Sequence, residues 1–244
     1  MSKLQKLKGI YLHHVRYSEN NVIAKIYTNE LGMQSFMIRG VGKSKKNKKT
    51  GLLQPLTLLD IIAYVNSKRN IHQVKEISVA YHFKTLQQEN FVKSSIAVFV
   101  NELIYKSIKE VEKNDAMFDF LFNSVQYLDL IDGGFANFHL LFAMQFSKYL
   151  GFFPSYSDKE KADFFDLREG VFSSSEPMHA DYISFEDSIR FRELIKRDYS
   201  EAANLNITNQ QRRELLRVIL SYYTFHLQGF TEIKSHQVLE TVLS

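Results

Sequence analysis

"NVIAKIYTNELGMQSFMIRG", residues 21–40, decides how the first part of this chain folds. Val22, Ala24 and Ile26 alternate with Ile23, Lys25 and Tyr27. That period of two sends successive side chains to opposite faces of a strand. Asn29-Glu30-Leu31-Gly32 supplies a turn, and "MQSFMIRG" resumes an apolar strand. The texture continues on both sides in "GIYLHHVRYS" (9–18), "LTLLDIIAYV" (56–65) and "IHQVKEISVAY" (71–81), all short and rich in β-branched and aromatic residues. Turn signals separate them at Ser18-Glu19-Asn20-Asn21 and Ser67-Lys68-Arg69-Asn70. Five short strands in residues 1–80 suit a small closed barrel, with a five-stranded OB-fold as the expected choice and an SH3-like barrel as the rival.

Beyond Tyr81 the period changes. In "SSIAVFVNELIYKSIKEVEKN" (94–114), Ile96, Phe99, Val100, Leu103, Ile104 and Ile108 share one helical face. Asn114 or Asp115 can cap a second helix carrying Phe118, Leu121, Phe122, Val125 and Leu128, which Gly133-Gly134 stops. "NFHLLFAMQFSKYLGFFP" (137–154) is apolar nearly all round and reads as a central buried helix ending at Gly151. Residues 155–185 are polar and punctuated, and "DFFDLREGVFSSSEP" reads as a short hairpin. Helices return in "QQRRELLRVILSYYTFHLQGF" and "KSHQVLETVLS". The expected fold class is α+β and multidomain: an OB-fold barrel over 1–80, then an α-helical bundle domain over 81–244 with a small hairpin insertion at about 152–185.

Charge is unevenly divided. Residues 1–80 hold 14 Lys or Arg against 4 Asp or Glu, whereas the remainder is net acidic. A basic module on an acidic body points to polyanionic partners. No apolar run is long enough to span a bilayer, and "MSKLQKLKGIYLHH" lacks the apolar core of a signal peptide, so a cytoplasmic protein without a membrane partner is expected. Cysteine is absent, which removes disulfides, thiol catalysis and thiolate metal sites.

Enzymatic readings find little support. Gly42-Lys43-Ser44 ends like a nucleotide-binding loop, but that motif needs a glycine at the position of Met37, which lies in a strand-like segment. His13 and His14 face opposite sides of a strand, and His72, His82, His139, His179, His226 and His236 stand singly, so no metal site is expected. Asp158, Glu160, Asp163, Asp166 and Glu169 cluster in the polar insertion as a solvated loop would, rather than around a nuclease magnesium. The chain is expected to be no enzyme and to need no cofactor.

Nucleic-acid binding has better support. Lys43, Lys45, Lys46, Lys48 and Lys49 can neutralise phosphates without base specificity. Arg16, Lys25, Arg39, Lys68, Arg69 and Lys75 lie on or beside the expected strands. Tyr11, Tyr17, Tyr27 and Phe36 are interleaved with them and suit either base stacking or the barrel core. The pattern favours single-stranded DNA or RNA without choosing between them, which leaves a non-catalytic RNA-binding OB-fold factor as the alternative.

"YSENN" (17–21), "RGVGKSK" (39–45), "LLQPLTLLD" (52–60), "YLGFFP" (149–154), "FDLREGVF" (165–172) and the late "LLRVILSYYTFHLQGF" followed by "KSHQVL" occur in an order that resembles the RecO family of bacterial recombination mediators. The resemblance covers nearly the whole chain. It implies an OB barrel followed by a helical domain, and DNA repair in the RecFOR pathway without catalytic turnover. It implies binding of single- and double-stranded DNA, annealing of complementary strands, and a nucleoid-associated location. With RecR, and in functional linkage to RecF, such proteins help RecA replace the single-strand-binding protein SSB. Their helical domain docks the acidic, hydrophobic C-terminal tail of SSB. Arg39 and Lys43 fall at the family's basic positions for DNA contact. For the tail, two cation clusters are candidates: Arg190, Arg192, Lys196 and Arg197, and Arg212, Arg213 and Arg217. Arg213 and Arg217 are preferred, being four apart beside Leu216 and Ile219. Many RecO proteins carry a four-cysteine zinc module after the Gly-aromatic-x-Pro turn. Here Ser155 and Ser157 follow Pro154, so the insertion must be held by packing, through Phe164, Phe165 and Phe172.

Overall fold

The computed structural model describes residues 2–41, 50–86, 90–109, 112–156 and 163–243. The alternating segments become β1 (Lys3–Ser18), β2 (Asn21–Thr28), β3 (Gly32–Arg39), β4 (Leu58–Val65) and β5 (His72–Val79). β1 is longer than expected because Leu7, between Lys6 and Lys8, continues its buried face toward the N-terminus. β1 pairs antiparallel with β2 and with β4, β2 with β3, and β4 with β5. Ala24, Ile26, Phe36, Ile38, Leu59, Ile61 and Ala63 point inward to a shared core, each large apolar side chain contributing roughly 1.5–3 kcal/mol on burial.

The pairings run in the order β1-β2-β3-β5-β4 and return from β4 to β1. β3 and β5 meet differently from the rest: they are parallel and pair only at Phe36 with His72 and Met37 with Gln73. Beyond that seam Ile38 and Arg39 of β3, and Val74 and Lys75 of β5, line a cleft instead of a ladder. The expectation of an OB-fold barrel is corrected on this point. The structure supports a mixed sheet with a short parallel seam, together with an α-helical region.

The first compact unit, Met1–Glu89 with Ile108–Asp129, also takes in a helix. This is α2 (Asp115–Leu130), numbered after α1 (Phe91–Ser107). Asn114 caps α2, its Oδ1 accepting from Met117 N at 3.0 Å. Phe118 stacks on Tyr27 at 6.2 Å. Gly32 has φ +62°, and a Cβ there would lie 2.3 Å from Glu112 O, so the β2–β3 turn accepts only glycine. At the end of α2, Asp129 is fully buried. Its carboxylate accepts from the amides of Lys84 (2.9 Å), Thr85 (2.8 Å) and Leu86 (2.9 Å) and from the Tyr81 hydroxyl (3.0 Å).

The second unit is Asn90–Ser107 with Leu130–Ser244. Its α3 (Phe138–Tyr149) is buried along most of its length, as the all-round apolar pattern requires. α4 (Phe185–Ile195), α5 (Asn209–His226) and α6 (His236–Val242) follow. α5 starts at a capping box in which Thr208 and Gln211 satisfy each other's backbone amides. The hairpin expected in the insertion is present as an antiparallel pair, and a third strand joins it. β6 (Phe164–Asp166), β7 (Val171–Ser173) and β8 (Tyr182–Ile183) form a three-stranded sheet in the order β7-β6-β8. Phe165 is its centre, with ring centroids 4.8 Å from Phe172, 4.7 Å from Phe191 and 5.7 Å from Tyr222. Gly170, at φ +71°, lets Tyr222 close in: a Cβ would sit 2.7 Å from its hydroxyl.

Candidate nucleic-acid interface

A groove of about 560 Å³ runs along the start of β3 and the β4–β5 turn. Lys25 of β2, opposite Ser35 of β3, and Arg69 of the turn supply its cations. Gln34, Ser35, Ser67 and Asn70 supply neutral hydrogen-bonding groups. Asn66 shapes the turn: its Oδ1 accepts from Lys68 N at 2.9 Å and its carbonyl from Arg69 N at 3.0 Å, which leaves both cationic side chains exposed. His72 closes one end, packed edge-on to Phe36 at 5.6 Å. Burial pulls its pKa down, so it is neutral at pH 7 and adds no charge. The groove can hold a phosphate backbone between two cations, with amides and hydroxyls at sugar and base edges.

The remaining expected DNA contacts are dispersed. Arg39 lines the cleft beyond the seam, its Nη2 donating to Gln73 Oε1 at 3.1 Å. Arg16 is exposed on β1 opposite Val22 and lines neither depression. Lys43, Lys45, Lys46, Lys48 and Lys49 lie outside the described residues. Tyr11, Tyr27 and Phe36 are buried in the core, and Tyr17 is exposed.

In the second unit the four expected tail-binding arginines have different surroundings. Arg190 is paired with Asp187 at 2.6 Å and Glu186 at 3.7 Å. Arg192 lies over the Phe172 ring at 4.4 Å. Arg217 is exposed and bound to Glu240 at 3.3 Å. Arg213 lines a small hollow with Leu216, Leu239 and Leu243, and with Glu240 beside them. Arg212 lies in the same hollow and is buried, held by neutral acceptors: Asn137 Oδ1 at 2.8 Å and Asn209 Oδ1 at 2.6 Å. His139, also lining it, is fully buried; burial first and then the Arg212 charge depress its pKa to about 3.

Comparison with known proteins follows this division. The model described as Recombination protein O N terminal matches residues 1–83, and that described as Recombination protein O C terminal matches residues 88–236. The DNA repair protein RecO of Phocaeicola vulgatus is 34% identical over 99% of this chain and 100% of its own length. That of Flavobacterium psychrophilum is 36% identical over 98% of this chain and 99% of its own. That of Azobacteroides pseudotrichonymphae is 31% identical, covering 98% and 99%. The chain belongs to the RecO family.

Membership in the RecO family makes this a DNA-repair and recombination mediator, and not an enzyme. Asp166, the most central acid of the insertion, is occupied in holding a turn: Oδ1 accepts from the amides of Arg168 (2.8 Å) and Glu169 (3.1 Å), and Oδ2 meets His179 Nε2 at 3.1 Å. Among the described residues no three His, Asp or Glu side chains gather where they could hold a metal ion. No described helix is long and apolar enough to cross a membrane.

Two residues escaped the sequence reading, and the burial of a third was not foreseen. Lys6 and Lys8 line the cleft with Arg39, and their alternation about Leu7 was the available signal. Arg212 sits in the first turns of α5, where the helix dipole disfavours a cation. Its position three and four residues before the buried Leu215 and Leu216 places it on the inward face.

Proposed function

We propose that the chain binds single- and double-stranded DNA through residues 1–80, anneals complementary strands, and with RecR helps RecA replace SSB on single-stranded DNA. The observation that carries DNA binding is the groove in which Lys25 and Arg69 flank neutral hydrogen-bonding groups. Lys68, Arg39 and Arg16 extend the positive surface, and Lys43, Lys45, Lys46, Lys48 and Lys49 add charge to the connection after β3. Residues 81–244 are the docking part, and the hollow between α5 and α6 is the place for the SSB tail. Arg213 offers charge to its terminal carboxylate, the buried Arg212 adds positive potential beneath it, and Leu216, Leu239 and Leu243 offer an apolar wall. Arg213 lines the hollow and Arg217 is not among its lining residues, so Arg213 is the stronger contact of that pair.

The test is anisotropy titration of single-stranded DNA, duplex DNA and RNA of equal length across a salt series. Each lost phosphate contact lowers the slope of log affinity against log salt by roughly 0.7 to 0.9. Lys25→Ala with Arg69→Ala is expected to flatten the slope by about two such steps. A folded double variant with unchanged slope would remove the groove assignment, and tighter RNA binding would remove the DNA assignment. For docking, Arg213→Ala is expected to weaken a labelled SSB-tail peptide more than Arg217→Ala does. Failure of RecR and SSB to co-purify with the chain would remove the mediator contacts.

A further inference from the structure

The first unit contains a second depression, larger than the groove and lined by different residues. It has a volume of about 930 Å³. Lys6, Lys8, Arg39 and Lys75 surround it, with Asp60 and Glu76 as the opposing acids. Its apolar lining includes Val74 and Ile77 of β5, which are only half-buried. The groove and the cleft lie on either side of the two-pair seam between β3 and β5. On β3, Met33, Gln34 and Ser35 line the groove, whereas Ile38 and Arg39 line the cleft. On β5, His72 lines the groove, and Val74 to Ser78 line the cleft.

We propose that this cleft holds a second strand of single-stranded DNA, separate from the strand in the groove of Lys25 and Arg69. The proposal rests on the DNA-binding reading above and gives it a stoichiometry of two unpaired strands per chain. Charge complementarity selects a polyanion, since Lys6, Arg39 and Lys75 outnumber the two carboxylates even with the Lys8 ammonium over the Phe122 ring. An ion pair within the lining, Lys75 to Glu76 at 3.5 Å, is solvent-exposed and therefore weak, so Lys75 can exchange its partner for a phosphate.

The apolar wall selects an unpaired strand. A duplex turns its bases inward and presents phosphates, leaving Val74 and Ile77 unused, whereas a single strand can splay bases onto them. The volume lies at the upper end of the roughly 300–1,000 Å³ typical of pockets that take small molecules, enough for a base with its sugar. Ser35 and Ile38 are three residues apart, about 10 Å of strand. Holding two unpaired strands on either side of one seam is the arrangement that annealing requires.

The experiment is native mass spectrometry of the full chain with non-complementary dinucleotides, whose single internucleotide phosphate can sit in only one depression at a time. The wild type is expected to show complexes of one chain with two oligonucleotides. Lys6→Glu with Lys75→Glu is expected to stop at one, with first-strand affinity within about threefold of wild type, which also reports that the variant is folded. Lys25→Glu with Arg69→Glu is expected to stop at one as well, the strand now lying in the cleft. A wild type that binds one oligonucleotide and never two would overturn the proposal while leaving DNA binding intact. Two strands retained by the Lys6, Lys75 variant would overturn it as well. A wild type that binds none would remove the reading on which the proposal stands.

Discussion

Replacing Asp129 with Ala is expected to unfold more of the first unit than its single missing carboxylate suggests. The side chain is fully buried and accepts from four donors, three of them successive backbone amides of residues 84–86. Each hydrogen bond to a charged group is worth roughly 1.5–3 kcal/mol. They do not add fully, because the segment can relax toward water once the anchor is gone. Two or more stranded amides still set a loss of about 3–5 kcal/mol. Burial opposes the charge, but the amides of Lys84, Thr85 and Leu86 and the Tyr81 hydroxyl outweigh it and hold the carboxyl below its ordinary value. A group with a depressed folded pKa contributes stability above its unfolded value, near pH 4, and that contribution disappears as pH falls through the folded value. The assay is urea unfolding followed by far-UV circular dichroism, since the chain has no tryptophan. A loss below about 1 kcal/mol at pH 7 would mean that this carboxylate is not the anchor its geometry describes.

Other outcomes are expected from groups in the second unit. Phe165→Ala should cost about 3–5 kcal/mol, whereas a chelator should leave the wild-type melting temperature unchanged; stoichiometric zinc by elemental analysis would contradict the second statement. His139→Gln should remove a pH slope of about 1.4 kcal/mol per unit, because a histidine held neutral in the fold loses ground to its protonated unfolded form below pH 6.5; parallel stability curves for the two proteins from pH 6.5 to 4.5 would refute this. Glu102 is disfavoured by burial, yet hydrogen bonds from Ser235, Lys106 and Lys234 outweigh that and pull its pKa down to about 2. Glu102→Gln should therefore weaken the protein most above pH 4.5 and least near pH 2, read as converging denaturant midpoints.

The strands were legible because alternation is a local signal. Val22, Ala24 and Ile26 declare a buried face without reference to any partner. The parallel β3–β5 seam was not legible, since Phe36 and His72 are 36 residues apart and their contact leaves no periodic trace. β8 was missed because two residues, Tyr182 and Ile183, cannot show a period. α2 was recognised as a helix, but its apolar face does not say which body it covers. The exposed cations were visible as charge, and their sorting into groove and cleft depended on strand pairing. The burial of Arg212 was not legible because arginine is usually exposed, and only the Asn137 and Asn209 carbonyls reveal why it can be buried here.

The aromatic centre of the insertion has a consequence for the conditions under which this protein keeps its shape. Phe165, Phe172, Phe191 and Tyr222 hold by contact what thiolates would hold by coordination. Thiolates climb an oxidation ladder under peroxide and release their metal as they do. Benzyl rings offer no such lone pair. The sheet of β6, β7 and β8 is therefore expected to stay assembled under oxidative attack and metal starvation, the circumstances in which chromosomes break and a repair protein is called upon.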